Sequence, residues 1–218
     1  MQLQPLGDQA ILASFPSERD AQVFAHSARA ANWAWLQDVV PAYSTVGVYF
    51  DSGVARFAEV SERLLKLEAT DSATANVQGR VHRIPVCYER QLDMQRVTEA
   101  TGLSTDVVSR LHTAQPFNVY AIGFVPGFPY MGYLPEELAG VPRLATPRVR
   151  IEPGSVGITG KQTAIYPQAS PGGWNILGQT PLTIVDLQDE YFPLRVGDLV
   201  RFERIDETEF QRLLGERL

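Results

Sequence analysis

Residues 116–181 hold 10 of the chain's 17 glycines and 10 of its 15 prolines. Proline locks φ and removes a backbone donor, while glycine opens φ values closed to other residues, so long helices and long unbroken strands are excluded from this span. What remains are short extended runs between fixed turns, at 118–124, 154–159 and 164–167, continued beyond the span at 183–187 and 198–205. Such spacing favours an antiparallel barrel or sandwich over a parallel sheet layered with helices. Loops held in shape this way commonly carry function.

The N-terminal third reads differently. Ser17 followed by Asp20 forms a capping-box pattern, and Phe24, Ala28, Ala31 and Trp35 continue it as one apolar helical stripe. A second helix is predicted over 54–68, with Phe57, Val60, Leu64 and Leu67 on its inner face. Runs at 10–15, 38–43 and 45–50 read as strands, giving the order strand, helix, strand, strand, helix. The stretch 69–79 (ATDSATANVQG) is small, polar and aperiodic, as a linker is, and places a boundary near residue 80. Residues 81–88 then form a strand that either closes the first sheet as a ferredoxin-like split βαβ unit or opens the second domain. Two short helices follow, one ending near Gly102 and one beginning after Ser104. The expected class is therefore α+β: a small ferredoxin-like domain over 1–80 and an antiparallel β-barrel over 81–218.

With 218 residues, 44% hydrophobic and 20% charged, the chain can bury a core without covalent staples. Its one cysteine, Cys87, permits no internal disulfide, and His26, His82 and His112 lie too far apart for a recognisable metal motif. A net charge of -6 offers no positive field to a phosphate backbone, so nucleic acid is not an expected partner. The start of the chain has neither a basic nor an apolar leader region, and no apolar run would span a bilayer. A soluble, cytoplasmic protein is expected, with no membrane partner.

Chemistry concentrates in two windows without Asp, Glu, Lys or Arg, 111–135 and 162–185. The first contains Phe117, Tyr120, Phe124, Phe128, Tyr130 and Tyr133; the second contains Tyr166 and Trp174 beside Pro171, Gly172 and Gly173. Between them stand Arg143, Arg148, Arg150 and Lys161, opposed within 138–161 by Glu152 alone. The aromatics could simply fill the barrel while the cations are solvated. Against that, the same loops carry Thr159, Gln162, Thr163, Tyr166, Ser170 and Asn175, polar groups that a plain core would have to satisfy. Aromatic walls around a guanidinium suit a flat anionic ligand, because they lower the local dielectric while arginine grips a carboxylate.

Other motifs fail. Gly160-Lys161 resembles the end of a phosphate-binding loop, yet Ser155 and Gln162 occupy positions where that motif needs Gly and Ser or Thr. Cys87, inside the apolar run IPVCY, reads as a buried inert thiol. His112 reads as a helix-end hydrogen-bonding group, with general base as the sharper alternative.

Four segments in order, GFVPGFPYMGYL (123–134), LATPR (144–148), PGSVGITGKQTAIYP (153–167) and SPGGWNILGQTPL (170–182), resemble the family of 5-oxoprolinase B subunits, also known as KipI or allophanate hydrolase subunit 1. The likeness extends to PLGDQAIL (5–12), VVPAY (39–43), IPVCY (84–88) and TGLSTDVVSRLH (101–112). It implies a cyclophilin-like barrel as the second domain. It further implies a member of an ATP-dependent 5-oxoprolinase complex, with A and C subunits as partners, that opens 5-oxo-L-proline, a small anionic lactam, to L-glutamate. A KipI-like member would instead bind and inhibit a sensor histidine kinase, and related domains serve in biotin-dependent urea carboxylation. Joined to the residue pattern, the resemblance makes Arg143 or Arg148 the anion holder, Gln162, Thr163 and Tyr166 the polar orienting groups, and Phe124, Phe128, Tyr130 and Trp174 the walls. No nucleophile or metal ligand is evident, so partner subunits are expected to complete the site and ATP to be bound somewhere in the complex. Two departures from the family pattern stand out. Glu89 to Asp93 replaces a usual Gly-Pro-Asp-Leu stretch, and Ala164 stands where glycine is common.

Overall fold

The computed structural model describes residues 1–71 and 79–218. By internal packing the chain divides into two compact units, Met1–Gln78 and Gly79–Leu218. Of the stretch read as a linker, 72–78 lie outside the described residues, while 69–71 continue a helix.

The first unit is built from β1 (Gln2–Pro5), β2 (Ala10–Ser14), α1 (Glu18–Ala30), β3 (Leu36–Ala42), β4 (Thr45–Phe50) and α2 (Phe57–Asp71). Its four strands pair antiparallel in the order β1-β2-β4-β3. Ser17 caps α1 as its sequence pattern requires, accepting from the Asp20 backbone N–H at 3.2 Å. The helix stops sooner than the apolar stripe suggests. Asn32 takes φ 46°, turning the chain out of the helix, and Trp35 reaches the core from beyond it, stacked on Trp33. Phe24 and Ala28 of α1 and Val60 and Leu64 of α2 pack with Ile11, Val46, Val48 and Phe50 of the sheet.

Of the two readings of residues 81–88, opening the second domain is the one the fold adopts, and the ferredoxin-like closure of the first sheet does not form. That strand belongs to the second unit, and the sheet edge beside β2 is filled by β1, which the sequence pattern does not mark. β1 is an edge strand whose residues are mostly exposed and which ends in Pro5, so it carries no buried alternation to read.

The second unit contains β5 (Val81–Cys87), α3 (Met94–Thr101), α4 (Thr105–Thr113), β6 (Phe117–Ile122), β7 (Pro129–Gly132), β8 (Arg148–Ile151), β9 (Ser155–Thr159), β10 (Gln162–Ile165), β11 (Ser170–Gly172), β12 (Asn175–Gln179), β13 (Leu199–Ile205) and α5 (Glu207–Leu213). Seven strands close a barrel in the order β10-β7-β6-β13-β5-β12-β9, while β8 and β11 pair as a separate ribbon. The barrel is not wholly antiparallel: β13 and β5 run parallel from Leu199↔Val81 to Ile205↔Cys87. Parallel neighbours need a long crossover, and here the whole intervening barrel supplies it. Residues 183–187 form no strand. Asp186 instead accepts the N–H groups of Gln188 and Asp189 in a local turn, with isolated bridges at Thr183 and Asp186.

α3 ends at Gly102, whose φ of 72° is the left-handed conformation of a helix C-cap, and Ser104 caps α4. Val108 and His112 of α4 meet the barrel core, which is led by Ile84, Val86, Phe117, Met131, Ile158 and Phe202. A second apolar cluster, Phe128, Ile151, Ala164, Tyr166, Trp174 and Ile176, forms apart from it. Strand alternation separates the two: Met131, Ile165 and Leu177 join the barrel core, while their neighbours Tyr130, Ala164, Tyr166 and Ile176 pack in or against the second cluster. Among the described residues no helix is long and apolar enough to cross a membrane.

Candidate functional site

The second cluster forms the back of a cavity of about 220 Å³, lined by Phe124, Phe128, Tyr130, Arg143, Leu144, Pro147, Tyr166, Pro171, Gly172, Gly173 and Trp174. Phe128 is its hub. Its ring meets Phe124, Tyr130, Tyr166 and Trp174 edge-on, with centroids 4.9 to 5.7 Å apart. These are the geometries that ring quadrupoles favour. Space of this size suits a small metabolite, because a water molecule takes up about 30 Å³ and drug-sized sites begin near 300 Å³.

Among the polar residues of that lining, Arg143 and Tyr166 stand at opposite extremes of exposure. Arg143 is exposed at the rim, with no carboxylate partner among the described residues. Tyr166 is 1% exposed. Burial pushes its phenol above the ordinary value, against the opposite pull of the Trp174 backbone N–H and of Arg143 and Arg148. It therefore stays neutral and able to donate at physiological pH. Gly172 makes this arrangement possible, since a Cβ there would run into the Tyr166 hydroxyl and Ile151. A cation at the mouth, a neutral donor behind it and aromatic walls can hold a small flat anion and stabilise charge growing on an oxygen. The lining contains no carboxylate, imidazole or thiol.

Six of the nine residues singled out from the sequence come together here: Phe124, Phe128, Tyr130, Arg143, Tyr166 and Trp174. Three do not. Arg148 is bound in a two-point fork by Asp93, at 2.6 and 3.0 Å, so its charge is already matched. Thr163 lies on the barrel side of β10, where its hydroxyl donates to the Gly157 carbonyl and accepts from His112. Gln162 pairs across the β9–β10 hairpin with Thr159, away from the lining. The Gly160-Lys161 pair is the turn of that same hairpin and leads into a strand, so no phosphate-binding loop exists there.

His112 and Cys87 are equally removed from chemistry. His112 is fully buried between Tyr88 and Thr163, and burial pushes its pKa down to about 3. Cys87 is pushed up to about 11, mainly by burial and by its contact with Glu89.

The family model "Carboxyltransferase domain, subdomain C and D" matches residues 1–194. A relative from Bacillus subtilis, named as the B subunit of 5-oxoprolinase, is 34% identical over 96% of this chain and 95% of its own length. The chain belongs to the family of 5-oxoprolinase B subunits. Its fold matches a crystal structure of TTHA0988 with a TM-score of 0.80 and 34% identity, over 92% of this chain and 41% of that one. The chain thus spans under half the length of that protein. The K. lactis urea amidolyase has the same fold over 97% of this chain and 15% of its own, with a TM-score of 0.77 at 16% identity.

Against the family pattern, the altered stretch after Tyr88 still supplies an aspartate. Asp93 is 6% exposed and receives both Arg148 and the Ile176 backbone N–H. Ala164 buries its methyl group in the second cluster without lining the cavity. Sequence reasoning missed Asp93, which looks like an ordinary helix cap, and Leu144 and Pro147, which carry no polar signal. Pro171, Gly172 and Gly173 had a signal in their adjacency to Trp174.

Proposed function

We propose that this chain is the B subunit of an ATP-dependent 5-oxoprolinase that opens 5-oxo-L-proline to L-glutamate, working with the A and C subunits. The observation that carries the reading is the exposed Arg143 guanidinium at the mouth of an aromatic cavity of small-metabolite size. A five-membered lactam bearing a carboxylate matches it: Arg143 takes the carboxylate, Tyr166 donates to the lactam oxygen, and the rings of Phe128, Tyr130 and Trp174 exclude water. The lining offers no carboxylate, imidazole or thiol to act as a base. Activation of the amide is therefore assigned to the rest of the complex.

The test is 5-oxo-L-proline-dependent ATP hydrolysis, measured with this chain alone and then with the A and C subunits added. Turnover is expected only in the assembled complex. Robust turnover by the single chain, or none with both partners present, would overturn the reading.

A second reading has support in the matched family model, whose name is that of a carboxyltransferase domain. Under it the same cavity would receive a carboxylated cofactor or its acceptor. Biotin-dependent carboxylation of urea in a reconstituted system, in place of lactam opening, would favour that alternative.

A further inference from the structure

Asp93 occupies the N-cap position of α3 but does not cap it: its side chain makes no cap bond, and Gln91 accepts from the Met94 N–H instead. The freed carboxylate is turned toward the cavity's supports. It takes the Arg148 fork and the Ile176 N–H at 2.8 Å, while the Ile176 carbonyl accepts from the Asp93 N–H. Arg148 directly follows Pro147, one wall of the cavity, and Ile176 stands two residues after Trp174, another.

Three residues along, Arg96 reaches the same support from the same helix. Its Nε donates to Asn175 Oδ1 at 3.0 Å. That contact fixes which end of the fully buried Asn175 amide is the donor end. Nδ2 then points at the carbonyls of Pro142 and Ile158, at 3.0 and 3.2 Å. Pro142 directly precedes Arg143, and on the other side the Leu144 N–H donates to the Gly173 carbonyl at 2.8 Å. The backbone that carries the cavity's cation is thus bracketed on both flanks by the segment that carries Trp174.

The geometry points to Asp93 and Arg96 as positioning residues: from one turn of α3 they set, through Arg148 and Asn175, where Arg143 stands relative to the Trp174 wall. Neither touches the cavity. The role follows from the connections, since each side chain ends on a group whose next covalent neighbours line the site. A guanidinium displaced by about an ångström loses much of its grip on a small ligand, and such misplacement can cost on the order of a hundredfold. The effect on substrate rests on the functional reading above; the effect on Arg143 does not.

The experiment compares wild type with Arg96→Ala, Arg96→Lys and Asp93→Asn, and has two arms. Arg96 is exposed and alanine favours helix, but the change takes the donor from the buried Asn175 Oδ1, so Arg96→Ala is expected to fold with a melting temperature roughly 2 to 10 °C below wild type, and Arg96→Lys to recover most of that, even if Asp93→Asn does not fold. In the first arm, amide resonances of the ¹⁵N-labelled chain without any ligand are expected to shift in Arg96→Ala at 143–146 and 173–175, and to stay fixed in the β2–β4 sheet. In the second, the complex with the A and C subunits is assayed on 5-oxo-L-proline. KM is expected to rise about tenfold in Arg96→Ala with kcat within about twofold, and to recover in Arg96→Lys, which restores a cationic donor. Unshifted amides at 143–146 and 173–175 would overturn the positioning role, as would a loss confined to kcat. If wild type shows no 5-oxo-L-proline-dependent turnover, the functional reading fails while the amide shifts still decide the inference.

Discussion

His112 Nε2 lies 2.8 Å from Thr163 Oγ1, and this contact fixes the tautomer of a wholly buried ring. Because the Thr163 hydroxyl donates to the Gly157 carbonyl, it can only accept from the histidine, which places the proton on Nε2 and leaves Nδ1 to accept from the Tyr88 hydroxyl at 2.7 Å. Every polar atom of the ring is satisfied in the neutral form, and the ring stacks on Phe202.

Acid should therefore unfold this protein through His112. Burial lowers its pKa from 6.5 to about 3, so between those values the unfolded chain binds a proton that the native state refuses. The stability it contributes is complete above about 6.5 and is lost progressively as pH falls toward 3. Urea titrations at steps from pH 7.5 to 4 should show a falling midpoint, with a flatter slope for His112→Gln despite its lower stability at pH 7. Equal slopes would show that other groups carry the acid sensitivity.

Arg148→Ala should destabilise the chain by about 3 kcal/mol, because it strands a carboxylate that is 6% exposed with a single backbone N–H for company. Combining it with Asp93→Asn should cost clearly less than the sum of the two single changes. Denaturation midpoints of wild type, both singles and the double give the coupling directly. Additive costs would mean the pair contributes nothing jointly.

Arg143→Gln should do the reverse. An exposed side chain without an ion-pair partner among the described residues changes stability by no more than about 0.5 kcal/mol on removal. Loss of a charge-assisted grip on a substrate carboxylate should weaken kcat/KM of the assembled complex by roughly 2 kcal/mol or more, about thirtyfold. Unchanged kinetics would remove Arg143 from the site.

Gly172→Ala probes the floor of the cavity. Its added methyl group would meet the Tyr166 hydroxyl and Ile151, so overpacking should cost about 1 to 3 kcal/mol and displace the phenol. Thermal unfolding and activity should both fall. A variant as stable and active as wild type would show that Tyr166 can move without consequence.

A chain beginning at Gly79 should unfold cooperatively by itself, since the seven barrel strands and the cavity all lie within Gly79–Leu218. Circular dichroism of that fragment under urea would test this, a gradual non-cooperative loss being the contrary result.

Much of this protein was legible in its local sequence. Ser17, Gly102 and Ser104 mark helix ends through interactions within one turn, and the two windows without charge announce the aromatics that line the cavity. What the sequence could not settle depends on register and on partners far along the chain. Thr163 and Tyr166 both read as orienting groups, and the pleat of β10 sent the first to the barrel core and left the second, just past the strand, beside the cavity. Arg148 and Arg143 read alike as anion holders, until folding brought Asp93, 55 residues away, against only one of them. The parallel pairing of Leu199 with Val81 was equally beyond local pattern. A helix cap is decided by neighbours a few bonds away. The face of a strand and the partner of a charge are decided by closure of the barrel, where a shift of one residue exchanges inside for outside.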